Sequence, residues 1–248
     1  MANLSAIGEN FVPPDFDLEK LFIPDLHLAI GIFGSRFSGK STFLEHIYKR
    51  LAKKYDLIVW FCQSKAARIY KTIFKDNEDG EDFLYETFSH DLIYDLFKYQ
   101  NLTENSLNIL VIFDDMVSFK GIKWSDSLLQ IFTRGRNSNI SVIFSSQDDV
   151  LMNPTARRNL DYVFLLNMAG DGPDKIAKRW LIHKFEFTTE LRYKSEAKRA
   201  MYLMDFYKHY TSDHGIIVIA NREIDNKLFQ FRTPNVQVDT PKKRTRED

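Results

Sequence analysis

Cysteine is almost absent from this chain, with one, Cys62, in 248 residues. No disulfide can close within the chain, so its core must hold the fold, as suits a reducing compartment. Cys62 stands in the apolar run LIVWFC (57–62), where a buried, inert thiol is expected. Long hydrophobic runs are missing too. No stretch reaches the roughly 18 apolar residues that span a bilayer, and the opening MANLSAIGENFVPPDF lacks the basic-then-apolar pattern of a signal peptide. The sequence predicts neither secretion nor a membrane span. Charge of one sign is not in excess, since 34 Lys and Arg balance 34 Asp and Glu. A broad basic coat for nucleic acid is excluded, and any DNA contact has to be local. Internal repeats are absent, and the histidines (His27, His46, His90, His183, His209, His214) show no zinc-ligand spacing.

What remains is a well-filled core. Hydrophobic residues make up 44% of the chain and aromatic ones 14%, enough for one sizeable domain. We place that domain over 28–235, after an N-terminal extension (1–27) and before a basic tail (236–248) expected to be disordered. Within it, apolar runs of strand length alternate with helix-period segments, the pattern of a mostly parallel sheet covered on both faces. The expected strands are HLAIGIF (27–33), DLIVWFC (56–62), NILVIFDD (108–115), ISVIFSS (140–146) and DYVFLLN (161–167), with GIIVIA and LFQF extending the sheet later. Helices fit from Lys40 to Lys54, from His90 behind a capping Ser89, from Ser125 to Thr133, and from Pro154 behind Asn153. The acidic stretch Lys75–Asp95 reads as a solvated loop and helix face, and Trp60, Trp124 and Trp180 as core. Asp174–Arg199 is the only sizeable basic segment inside the fold. In the tail, Lys242, Lys243, Arg244 and Arg246 fit a solvated terminus, with a nuclear address or a DNA-touching arm as alternatives.

Four motifs carry chemistry. Gly34, Ser35, Arg36, Phe37, Ser38, Gly39, Lys40, Ser41 and Thr42 form GSRFSGKST, a glycine-rich turn between an apolar strand and a helix. The glycines let successive N–H groups converge on β- and γ-phosphate oxygens at the positive end of a helix. Lys40 adds a movable positive charge, and Ser41 offers a hydroxyl to Mg²⁺. Phe37 stands where it would brush the adenine or a partner. In NILVIFDDM, Asp114 is suited to hold the metal through water, while Asp115, one residue on, points elsewhere and can polarise the attacking water. In ISVIFSSQ, Gln147 ends a strand and can sense a γ-phosphate or hold the lytic water. In FTRGRNSN, Arg134 and Arg136 follow a short helix. One would complement the helix end and the other would serve as an arginine finger for a neighbouring subunit, with Arg134 favoured for the finger.

The order GSRFSGKST, LVIFDDM, FTRGRNSNISVIFSSQ, NPTARRNLDYVFLLN resembles the genome-packaging ATPases of large double-stranded DNA viruses, poxvirus type, within the FtsK-HerA superfamily of P-loop ATPases. The likeness spans about 28–170. It implies a three-layer α/β sandwich of the additional-strand type, in which the Gln147 strand separates the Asp114 strand from the P-loop strand. It further implies ATP and Mg²⁺ as cofactors, a homo-oligomeric ring, double-stranded DNA held without regard to sequence, and a capsid, portal or membrane component to dock on. The setting implied is the host cytoplasm or viral factory, with association with the virion left open. Lys40 and Ser41 carry over to phosphate and Mg²⁺, Asp114 to Mg²⁺, Asp115 to water activation, Gln147 to sensing and Arg134 to the finger. Asp115 departs from the wider superfamily, which usually has Glu there, and a side chain one methylene shorter must sit closer to the water. Two other readings use the same P-loop: a small-molecule kinase drafting Arg157, Arg158 and Arg179 as a lid, or an ATP-binding assembly scaffold without turnover. A GTPase is disfavoured, because no Asn-Lys-x-Asp motif is present.

Overall fold

Seven Val-, Ile- and Phe-rich runs and one less obvious segment pair into a single sheet. The computed structural model describes residues 11–23, 26–63, 81–116, 124–182, 187, 192–222 and 228–232. The strands are β1 (Ala29–Phe33), β2 (Leu57–Cys62), β3 (Glu81–Tyr85), β4 (Ile109–Asp114), β5 (Ile140–Ser146), β6 (Tyr162–Leu165), β7 (Gly215–Ala220) and β8 (Leu228–Arg232). They lie in the order β3-β2-β4-β5-β1-β6-β7-β8. All pairings from β3 to β6 are parallel, and β7 and β8 join antiparallel. β5 therefore separates β1 from β4, the arrangement that the resemblance implies.

Why these runs become strands is visible in their burial. Ala29 and Phe33 of β1 enter the core on one face, and Ile30 and Ile32 the core on the other. Such near-continuous apolar runs suit a sheet covered on both sides. One face is covered by α1 (Lys40–Leu51), which buries Phe43, Leu44, Ile47 and Leu51. The other carries α2 (His90–Leu102), α3 (Asp126–Arg134), α4 (Pro154–Arg158), α5 (Gly172–Ile176) and α6 (Glu196–Thr211). Ser89 and Ser125 cap α2 and α3, accepting from Leu92 N and Leu128 N, and Asn153 caps α4 with Pro154 in its first turn.

Two expectations need correction. The acidic stretch is not loop and helix alone, since its residues 81–85 form the edge strand β3 beside β2; its residues 75–80 lie outside the described residues. Of the three tryptophans, Trp60 and Trp180 are core, but Trp124 is exposed. Part of the basic segment is paired within the chain. Lys175 pairs with Asp171 and Lys178 with Asp174, each at 2.8 Å, and Ser195 caps a 16-residue helix, α6. The tail residues Lys242, Lys243, Arg244 and Arg246 lie outside the described residues. At the other end, Phe16 donates its N–H to Gln230 O at 2.7 Å and sets its ring edge-on against Tyr162, Phe164 and Phe229, so residues 14–21 seal the β8 side of the sheet.

Candidate active site

The parallel strands direct their C-terminal ends to one edge of the sheet, and three of the four sequence motifs meet there. Arg36, Phe37, Gly39, Lys40, Ser41, Thr42, Asp114, Asp115 and Gln147 line one cleft of about 520 Å³, together with Gln63 and His214. Gly34, Ser35 and Ser38 shape the turn from behind. A Cβ on Gly34 would lie 2.5 Å from Ser38 Oγ and 2.8 Å from Leu166 Cβ, so only glycine lets the chain pass. Gly34 N donates to Ser146 O at 3.2 Å and Ser35 N to Asn167 O at 2.9 Å, which ties the turn to the neighbouring strand ends. Gly39 caps α1 at φ 95, a left-handed conformation that L side chains rarely adopt. Phe37 also has positive φ, at 63, and its ring is 100% exposed.

Lys40 begins α1, and its ammonium donates to Gly34 O at 2.6 Å and Ser35 O at 3.0 Å. Burial lowers its pKa from the ordinary lysine value; Asp115 and then Asp114 oppose this, and Arg36 adds to it. The two acids and the lysine thus share one electrostatic site. Asp114 ends β4, 4% exposed, with Ser145 beside it in register. Ser41 and Asp114 bring hard oxygen donors to the cleft. Mg²⁺ in such sites takes one or two protein oxygens and completes its shell with phosphate and water. The residues present fit that ion, and a larger ligand cluster is not needed: among the described residues no group of three His, Cys, Asp or Glu could hold a metal.

Asp115 leaves the strand with φ 50. Aspartate tolerates this left-handed turn better than most residues, and it re-aims the carboxylate into the cleft. Three hydrogen bonds hold it there. Its N–H donates to Ser145 O at 2.9 Å, its carbonyl accepts from Gln63 Nε2 at 2.9 Å, and its Oδ2 accepts from Gln147 Nε2 at 2.5 Å. Oδ1 is buried without a hydrogen-bond partner. Gln147 therefore engages one carboxylate oxygen of Asp115 and leaves the other unpaired.

Arg134 is not in this cleft. It ends α3, which runs back across the sheet, and the following turn enters β5 at the opposite edge. Arg136 is held there: Nη1 pairs with Asp161 Oδ1 at 3.2 Å and Nη2 donates to Asn159 O at 3.2 Å. Arg134 is exposed and makes no ion pair among the described residues. The two arginines thus divide as one anchored cation and one presented outward.

Two lining residues escaped the sequence reading. Gln63 follows β2 with no motif around it. His214 comes from the turn between α6 and β7, with φ 60, and its Nδ1 would lie 3.3 Å from a Cβ on Gly39. The antiparallel direction of β7 delivers it to the cleft. Only a predicted reversal of β7, together with the chain turn before it, would have pointed there.

A family model described as the Poxvirus A32 protein matches residues 14–205. Among proteins of curated function no relative matches. The fold is similar to the genome packaging NTPase B204 of Sulfolobus turreted icosahedral virus 2 bound to AMP, with TM-score 0.58 and 15% identity over 85% of this chain and 98% of that one. It is also similar to B204, the DNA-packaging ATPase of Sulfolobus turreted icosahedral virus, with TM-score 0.57 and 16% identity over 86% and 98%. The pCW3 conjugation coupling protein TcpA with ATPγS gives TM-score 0.53 and 14% identity over 84% and 60%. These likenesses establish the P-loop sandwich, and the family match covers all four motifs, so the chain belongs to the poxvirus A32 protein family, the viral packaging ATPases that its motif order resembles.

Proposed function

We propose that this chain is the ATP-hydrolysing subunit of a ring that drives double-stranded viral DNA into a preformed capsid. The observation that carries the reading is the joint placement of Lys40, Ser41, Asp114, Asp115 and Gln147 on one cleft, with Arg134 on the opposite edge of the same sheet. Backbone N–H groups of the turn and the Lys40 ammonium hold the β- and γ-phosphates. Ser41 and Asp114 would hold Mg²⁺, which would neutralise developing charge on the phosphates. Asp115 Oδ1 takes a proton from water as the water oxygen bonds to the γ-phosphorus and the bond to the ADP oxygen breaks. Gln147 keeps Oδ2 engaged, so the carboxylate presents one basic oxygen, and the left-handed backbone at 115 offsets the shorter side chain. β5 is about 23 Å long at roughly 3.3 Å per residue, so Arg134 is too far to reach its own nucleotide and serves a neighbour's. Backbone phosphates of DNA are the natural grip for a pump indifferent to sequence.

The kinase reading loses its lid, since Arg157 and Arg179 are fixed on Asp149 and line a different concavity from the Lys40 cleft. Hydrolysis of ATP by the purified protein, with and without duplex DNA, tests the motor. Lys40→Ala should abolish turnover, and no hydrolysis by the wild type in any oligomeric state would leave only a scaffold. Mixing Arg134→Ala with Lys40→Ala subunits should restore part of the activity, because an intact cleft then meets an intact arginine. Absence of rescue removes the cross-subunit finger.

A further inference from the structure

A second concavity, of about 220 Å³, is lined by Pro154, Arg157, Arg158, Arg179 and Trp180. Among the described residues, every charged side chain on its wall is an arginine. Beneath them lies Asp149, 1% exposed. Its Oδ2 accepts from Trp180 Nε1 at 2.7 Å and from Arg157 Nη1 at 3.4 Å, and its Oδ1 from Arg179 Nη1. One carboxylate neutralises one guanidinium, yet two are bound to it. Arg158, exposed alongside, adds another positive charge and makes no ion pair among the described residues.

A structural ion pair would need one of these arginines, and the end of a short helix favours cations such as Arg158 only weakly. Neither explains three around a cavity. Each guanidinium carries five N–H donors, and the bonds to Asp149 run through Nη1 alone, so donors remain on the wall. The segment Ala177–Leu181 is a π-helical turn. Such turns cluster at functional sites, and this one lets the consecutive residues Arg179 and Trp180 grip the same carboxylate. The buried acid thus fixes the arginine planes without cancelling their charge. Small-molecule sites occupy roughly 300–1,000 Å³, so this cavity accommodates a group rather than a whole ligand. Planar, forked donors of fixed orientation match a phosphate group.

We propose that this pocket seats a backbone phosphate of duplex DNA. The choice of DNA rests on the motor reading, whereas the phosphate chemistry does not. Asp149 lies two residues beyond Gln147, so the seat adjoins the residue that orients Asp115.

The test is equilibrium binding by the full chain, which needs no ATP turnover. A labelled duplex of mixed sequence is titrated by anisotropy from about 50 to 200 mM salt, using wild type, Arg158→Ala and Arg158→Glu. Because Arg158 is exposed, both variants should melt like the wild type. The expected result is weaker binding, more so for Glu, and a slope of log K against log salt shallower by about 0.9 for each DNA phosphate that the variant no longer neutralises. Affinity and slope equal to wild type in both variants overturn the proposal. Inorganic phosphate separates the sources. Trp180 walls the seat, so phosphate should change tryptophan emission, and saturating duplex should abolish that response. A phosphate response that persists under saturating duplex overturns the DNA assignment. Loss of the salt slope in a protein that hydrolyses no ATP would leave the seat standing and remove the motor.

Discussion

Two aspartates at opposite edges of the sheet, Asp161 and Asp115, are held in opposite ways. At the edge where parallel strands begin, Asp161 is 3% exposed yet fully engaged: Oδ2 accepts from Ala29 N at 2.7 Å and Oδ1 pairs with Arg136 at 3.2 Å. Ser141, in the same region, accepts from Leu28 N at 3.1 Å and from Tyr55 OH at 2.8 Å. At the edge where strands end, Ser38 Oγ, Ser145 Oγ and Asp115 Oδ1 are buried without hydrogen-bond partners. Leaving such atoms unpaired costs about 1–3 kcal/mol each. Asp161 is thus a fully satisfied structural group, whereas Asp115 keeps one carboxylate oxygen unpaired at the cleft.

That contrast can be broken or sharpened by substitution. The largest effect should come from Asp115→Asn, which keeps the hydrogen bond from Gln147 possible but removes the proposed base. We expect kcat for ATP hydrolysis to fall by about 10²–10⁴-fold, with a melting temperature equal to wild type or higher. A matching loss of stability would mean that Asp115 is structural like Asp161. Next is Asp161→Ala, which strands Ala29 N and Arg136. Unfolding by urea should show a loss of about 2–3 kcal/mol, while kcat of the folded fraction stays near wild type. If activity falls as far as that of Asp115→Asn, the edges are not separate. The smallest effect belongs to His214→Ala. Removing one hydrogen-bonding side chain from the nucleotide cleft should raise KM for ATP by about 2- to 10-fold at constant kcat, and an unchanged KM would leave His214 as wall alone.

The sheet was largely legible because its strands are buried on both faces. Runs such as LIVWFC and ILVIFD admit no amphipathic reading, and turn residues bound them. β3 was hidden because EDFLY opens with two acids and sits at an edge, where one side of a strand is unpaired and hydrophobicity is no guide. α6 was hidden because its apolar residues do not keep to one face: Leu203 and Tyr207 are buried, but Met201 is exposed. At the site, the P-loop, Asp114, Asp115 and Gln147 were readable since each follows directly from a strand end. Gln63 and His214 were not, because chain direction and sheet order bring them in rather than any local pattern. The division between Arg134 and Arg136 needed coordinates as well, since both follow the same helix and only Asp161, 25 residues beyond Arg136, distinguishes them.

β5 is the element common to both edges. Its entrance is the turn that follows Arg134, and its exit is Gln147. It is flanked by β1 and β4 in unbroken parallel register, so it cannot slide or bend without disturbing the P-loop and the acidic pair together. In a closed circle of copies, each subunit would then behave as a stiff pushrod: a tug at the arginine end arrives at the glutamine end without slack.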